Sequence, residues 1–152
     1  EACARAGVPA GCVNVICGYG HDAGAAMVSH NDIDHIVFTG SLTTGRSILH
    51  AAAERVIPSV MELGGKSAGI VYADADLEQA ASSSAIGIFS HAGQVCSAQS
   101  RLVVHRSVHD EVVDRLAEKA KALTIGPGID GCDLGPLISA PQRDQVEGFA
   151  LV

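Results

Sequence analysis

Short runs of branched apolar residues alternate along the chain with longer stretches whose apolar positions recur at helical spacing. Successive side chains of a strand face opposite ways, whereas residues i, i+3 and i+4 of a helix share a face, so the two periods separate the element types. Residues 1–6 read as the end of a helix stopped at Gly7, with Pro9 and Gly11 in the turn that follows. Cys12–Cys17, with the sequence Cys-Val-Asn-Val-Ile-Cys, predicts a short buried strand closed by Gly18-Tyr19-Gly20. A small-residue helix over His21–His30, N-capped by Asp22, comes next. A second strand is predicted over His35–Thr39, ending at Gly40-Ser41. The helix after it, Thr43–Glu54, puts Ile48, Leu49 and Ala52 on one face.

Pro58–Leu63 predicts a third strand and Ala68–Tyr72 a fourth, separated by the Gly64-Gly65 break. Asp74-Ala75-Asp76 caps a long helix over Leu77–His91 that is almost uncharged and is therefore expected to be buried. A strand at Arg101–His105 precedes a helix over Val108–Leu123. Its Val112, Leu116, Ala120 and Leu123 point inward and its Glu111, Arg115, Glu118 and Lys119 outward. Gly126–Gly131 reads as a loop, Leu134–Ile138 as extended, and Ala140–Val152 as a helix. This order of strands and helices predicts an α/β architecture with a parallel sheet.

Composition narrows the picture only in places. At 152 residues the chain can form one domain or parts of two. Aromatic residues make up only 3%, so the core must be built from Val, Ile, Leu and Ala. A formal charge of −7, with Lys and Arg scattered, argues against nucleic acid or an anionic membrane surface as a partner. No apolar run approaches the roughly 18 residues of a membrane span, and the start lacks a charged-then-apolar leader pattern. The chain reads as soluble and cytoplasmic. Its five cysteines are odd in number and form no CxxC pair, which points away from a disulfide framework or a zinc site and toward a reducing compartment. Cys3, Cys12, Cys17 and Cys132 read as small buried hydrophobes. His21, His30, His35 and His50 read as turn and helix-end residues, and no metal is expected.

Two residues have neighbours suited to chemistry. Glu62 ends the apolar run Val-Met-Glu-Leu and leads into Gly64-Gly65-Lys66-Ser67, while Cys96 follows Gly93-Gln94-Val95. A carboxylate that accepts a proton and a thiol that attacks a carbonyl are the two parts of thioester chemistry. The apolar residues around Glu62 predict a partly apolar setting for it. Upstream, a strand breaks at Gly40-Ser41 into a helix, the geometry that aims backbone amides and the positive end of the helix dipole at a phosphate. Such a turn also serves simply to cap a helix.

Three motifs together carry a family resemblance. Met61-Glu-Leu-Gly-Gly-Lys-Ser-Ala68 resembles the glutamate signature of the NAD(P)-dependent aldehyde dehydrogenase superfamily, and Phe89-Ser-His-Ala-Gly-Gln-Val-Cys96-Ser-Ala resembles its cysteine signature. Phe38-Thr-Gly-Ser-Leu-Thr-Thr-Gly45 is similar to its pyrophosphate-binding turn. The resemblance implies an incomplete Rossmann-like parallel sheet over residues 1–62, the C-terminal part of a cofactor domain. Residues 63–152 would then be the first part of an α/β catalytic domain. It also implies that Cys96 attacks a small-molecule aldehyde and that oxidation by NAD or NADP leaves a thioester, which water activated by Glu62 hydrolyses to the acid. The Cys96 amide and a second donor would hold the oxyanion. Gly40, Ser41 and Gly45 would meet the pyrophosphate, the Leu63 backbone and Gly64 the nicotinamide, and Gly93 and Gln94 would shape the Cys96 loop. Lys66 is read as a structural ion-pair residue and His91 as a helix-capping one.

The resemblance further implies a homo-oligomeric parent, a dimer or tetramer, with parts of the fold lying before Glu1 and after Val152. Two other readings stand beside it. The chain could be a truncated product without turnover that acts as a binding or assembly partner, or coenzyme A could replace water as acyl acceptor. Glu62 weighs against the second of these, since acyl transfer to a thiol needs no water-activating carboxylate.

Overall fold

The computed structural model describes residues 1–150 and divides into two compact units, which meet in the sequence between Leu63 and Gly64. The first begins with a single helical turn, α1 (Ala2–Arg5), stopped as expected near Gly7, whose φ of 76° lies in the left-handed region open to glycine. Residues 12–17 form no strand. Val13, Val15 and Ile16 are exposed because the two-stranded sheet of this unit offers them no ladder partner. The helix expected from His21 starts as a π-helical turn, Gly20–Gly24, and becomes α-helical only at α2 (Ala25–Ser29). Its N-cap is Tyr19, and Asp22 lies inside the first turn without capping it.

The predicted strand, helix and strand that follow are present. β1 (Ile36–Gly40) runs parallel to β2 (Ser59–Leu63), with Ile36 opposite Ser59 and Gly40 opposite Leu63, and α3 (Leu42–Arg55) crosses between them. Helix α3 lays Ile48 and Ala52 on Ile36, and Val28, Ile33, Phe38, Ile57 and Met61 complete this core. Leu49 turns outward. Arg55 gathers the preceding loop, its guanidinium donating to the carbonyls of Val28, His30 and Ile33.

Helix α3 ends on Val56, at φ 55° and ψ 39°, a left-handed conformation in which a β-branched residue is strained. The side chain is exposed and loses no packing when removed. Relief of about 1–2 kcal/mol of left-handed strain, set against about 0.5–1 kcal/mol of extra chain entropy, gives an expected net gain of about 0.5–1 kcal/mol for Val56→Gly. Urea unfolding should show it as a higher midpoint with an unchanged slope.

In the second unit β3 (Ala68–Val71) pairs in parallel with β4 (Arg101–Val104), and helix α4 (Leu77–Phe89) crosses between them. Asp76 caps α4 as expected, accepting from the Gln79 amide at 3.0 Å. Burial on α4 is confined to Ala81 and Ser84, with Ile86 exposed, so the lack of charge does not make it a buried helix. It packs on α5 (His109–Ala122) instead, whose Val112 is fully buried and whose Leu116 and Ala120 are half-buried, as is Leu123 just beyond the helix. Arg115 and Lys119, expected to face solvent, are half-buried because both reach Glu78 on α4, at 2.9 and 2.5 Å. The chain continues through a loop tied by an isolated bridge between Ile125 and Leu134 to α6 (Ala140–Ala150). The last two residues of the predicted helix lie outside the described ones.

Two carboxylates in this unit are held in their charged form. Hydrogen bonds from Lys119 and then Arg115 lower the pKa of Glu78, and Asp133 is lowered by the Thr124 hydroxyl and then its amide, at 2.6 and 2.9 Å. A carboxylate lowered on folding stabilises the fold fully above its unfolded pKa, and this contribution is lost as pH falls through the folded value. Urea midpoints should therefore hold above about pH 4.5 and fall below about pH 4. Asp133→Asn should flatten part of that acid slope.

Candidate active site

Two of the motifs sit at the ends of β1 and β2, the paired strands of the first unit. In the first unit β1 stops at Gly40, which a Cβ could not replace without meeting the Phe38 ring at 2.5 Å. Ser41 then caps α3, its hydroxyl accepting from the Thr44 amide at 3.2 Å and donating to the Thr44 hydroxyl at 3.0 Å. With the Thr44 amide taken by the cap, the Leu42 and Thr43 amides at the head of this helix have no intrahelical partner. They form an opening suited to an anion. Gly45 is buried, and a Cβ there would come within 2.9 Å of Leu63, so this glycine lets α3 lie close on β2. Gly40, Ser41, Gly45 and Leu63 are thus brought together around one helix start.

Glu62 pairs in register with Thr39 on the sheet face opposite Met61 and Leu63. Its side chain is exposed, beside the exposed Val60 and Val37. The partly apolar setting expected for it is not made within this unit, because no element of the unit covers that face.

In the second unit Gly64 has open space where a side chain would stand, and Gly65 approaches the Cys96 carbonyl, 3.8 Å from its would-be Cβ. Arg101 fixes this loop, donating from Nε to the Lys66 carbonyl at 2.9 Å and from its amide to the Ser67 carbonyl at 3.2 Å. Lys66 itself makes no ion pair among the described residues; its ammonium reaches the Gly65 carbonyl at 3.3 Å. The ion-pair expectation fails because no acidic side chain of this unit is within reach.

Cys96 is exposed, in a turn closed by the Ala98 amide on the Val95 carbonyl at 3.1 Å. Its own amide makes no hydrogen bond among the described residues and is free to meet an oxyanion. Behind the turn, the Gln99 amide donates to the Gly87 carbonyl of α4 at 2.9 Å. The Gln99 side chain fills the space over Gly69 and Gly87, where added Cβ atoms would meet it at 2.9 and 3.0 Å. Ahead of it, His91, Ala92 and Gly93 are all left-handed, at φ 52°, 55° and 74°. Non-glycine residues in that region cost on the order of 1–3 kcal/mol each, and such strain gathers at functional loops. His91 lies beyond the end of α4, and its carbonyl receives both the amide and the side-chain nitrogen of Gln94, at 3.2 and 3.1 Å.

The sequence reading missed three things here. Gln99 and Arg101 carry no local pattern that marks them. His105 and His109 lie four residues apart, a spacing the histidine reading passed over, but each is engaged elsewhere. Their Nδ1 atoms meet Ser107 at 2.9 Å and Asp110 at 2.8 Å. The remaining thiols also differ from expectation: Cys3, Cys12 and Cys17 are exposed because the segments that carry them join no core, while Cys132 is half-buried against Gly126. Among the described residues no helix is long and apolar enough to cross a membrane.

Comparison with known proteins bears directly on these motifs. The Aldehyde dehydrogenase family profile matches residues 1–150. A chloroplastic betaine aldehyde dehydrogenase of Atriplex hortensis is 47% identical over 98% of this chain and 30% of its own length. A peroxisomal aminoaldehyde dehydrogenase of Pisum sativum is 46% identical over 96% of this chain and 29% of its own. Among solved structures, betaine aldehyde dehydrogenase of Staphylococcus aureus in complex with NAD+ superposes with a TM-score of 0.85. It is 38% identical, over 90% of this chain and 27% of that one. The chain thus spans about 30% of the length of the curated relatives it matches. Sequence and parallel α/β fold agree, and the chain belongs to the aldehyde dehydrogenase family.

Proposed function

We propose that this chain supplies the covalent machinery of an NAD(P)-dependent aldehyde oxidation. The observation that carries the reading is Cys96, exposed on a strained turn beside the Gly64–Ser67 loop, its amide unpaired. Cys96 Sγ adds to the aldehyde carbonyl carbon, and the carbonyl oxygen takes the charge and meets the Cys96 amide and a second donor. NAD or NADP, when bound, supplies the two-electron acceptor for this adduct. The α3 head suits its pyrophosphate, since the Leu42 and Thr43 amides are free there and Gly40 admits close approach. The Leu63 backbone and Gly64 would meet its nicotinamide. Glu62 takes a proton from the water that attacks the thioester, releasing the acid and the Cys96 thiolate.

In this reading residues 1–62 belong to the cofactor domain and residues 63–152 to the catalytic domain. The relatives' names point to a betaine or amino aldehyde as substrate, and a chain with a formal charge of −7 favours the approach of such cations. The parent protein is a homo-oligomer, and five free thiols suit a reducing compartment such as the cytoplasm. A second reading, an assembly partner without turnover, is favoured by apolar side chains on open sheet faces, Val37 at 68% and Ile70 at 63% exposure. Absorbance of NADH or NADPH with betaine aldehyde and with an uncharged aldehyde, each with and without coenzyme A, separates the possibilities. Turnover independent of coenzyme A supports oxidation to the acid. Silence from this chain, alongside turnover by a longer polypeptide that contains it, supports the assembly reading, and strict dependence on coenzyme A replaces water as acceptor.

A further inference from the structure

The turn that presents Cys96 is held at one point by a segment far away in sequence. Gln94 spends its side-chain nitrogen on the His91 carbonyl at 3.1 Å, and its side-chain oxygen accepts from the Ile138 amide at 3.0 Å. The first bond closes the left-handed run His91–Gly93. The second ties that run to the extended stretch Leu134–Ile138, for which the chemistry above has no use. The other hydrogen bonds around Cys96 stay within residues 87–100. Ile138 is exposed and lies outside any helix or strand, so its own packing does not explain why its amide is engaged.

The geometry points to Gln94 as a positioning residue that couples the presentation of the Cys96 thiol to the 134–138 segment. It touches neither substrate nor cofactor in this account and acts through the turn two residues before the cysteine. The inference rests on the reading of Cys96 as nucleophile, but the coupling itself does not require turnover. Losing either end of the bridge frees the left-handed run to relax, and the thiol and the unpaired Cys96 amide then shift together.

Alkylation by iodoacetamide across a pH series, resolved by peptide mass spectrometry, reads Cys96 against Cys12 in the same chain. Cys12 is exposed and distant in sequence, and it serves as the internal reference. Gln94→Met removes both bonds at similar volume, while Ile138→Pro removes only the distant donor and adds no charge near the thiol. Each is expected to change the Cys96 to Cys12 rate ratio by about threefold or more, the size set by one hydrogen bond. Each should also displace the Cys96 pH profile while Tm and the Cys12 profile stay as in the wild type. If Gln94→Met fails to fold, Ile138→Pro decides alone. A folded Ile138→Pro chain whose Cys96 profile overlays the wild type overturns the coupling whatever Gln94→Met does. Turnover that survives Cys96→Ala would refute the nucleophile reading and leave the coupling standing.

Discussion

Cys96→Ala is expected to cut aldehyde-dependent NADH formation by on the order of 10³-fold or more in any polypeptide containing this chain that turns over, as happens when a covalent nucleophile is deleted. Alanine keeps the turn, because the bonds that hold it come from Gln94, Ala98 and Gln99 and none involves the thiol. Folding should therefore be unchanged and cofactor affinity nearly so. The same substitution at Cys3, Cys12 or Cys17 should leave the rate within about twofold, since exposed surface substitutions rarely act at a distance. Parallel steady-state assays and urea titrations of the four variants distinguish lost chemistry from lost structure.

Glu62→Gln carries the second large effect, and it should differ in kind. A glutamine of the same shape cannot take a proton from water, so the step that suffers is hydrolysis of the thioester, by about 10²–10⁴-fold. In the proposed reaction, thioester formation at Cys96 does not use Glu62. Rapid mixing should then show one equivalent of NADH formed quickly per active site, followed by a steady rate slower by that factor. A burst lost along with the steady rate would place Glu62 in an earlier step. Because Glu62 pairs with Thr39 on an open sheet face and makes no side-chain hydrogen bond among the described residues, the exchange should not lower stability measurably.

How much of this was legible in the sequence follows from which interactions are local. β1, α3 and β2 could be read because each carries its own signal: branched runs closed by glycine, and Ile48 and Ala52 one turn apart on a helix that Ser41 caps. Asp76 was legible as a cap for the same reason. Residues 12–17 have equally good strand composition, yet a strand is defined by its neighbour, and none pairs with them here. The low charge of α4 was a poor guide to burial, since solvent exposure depends on what packs against a helix. At the site, the proposed roles of Glu62 and Cys96 rest on glycine-rich motifs that are local in the sequence. The left-handed conformation of His91 and Ala92 was not legible, because alanine disfavours it and histidine, though enriched there, adopts it in only a small minority of positions. The Gln94 to Ile138 bond spans 44 residues and leaves no local mark.

The central claim is that Cys96 carries the acyl group and Glu62 lets water remove it. It is tested most directly by incubating the Glu62→Gln protein with aldehyde and NAD+ and mapping the acyl mass by peptide mass spectrometry. The account predicts one acyl group per NADH, on the Cys96 peptide, with Cys3, Cys12, Cys17 and Cys132 unmodified. NADH formed with no acyl group on Cys96, or with the group on another residue, would contradict it.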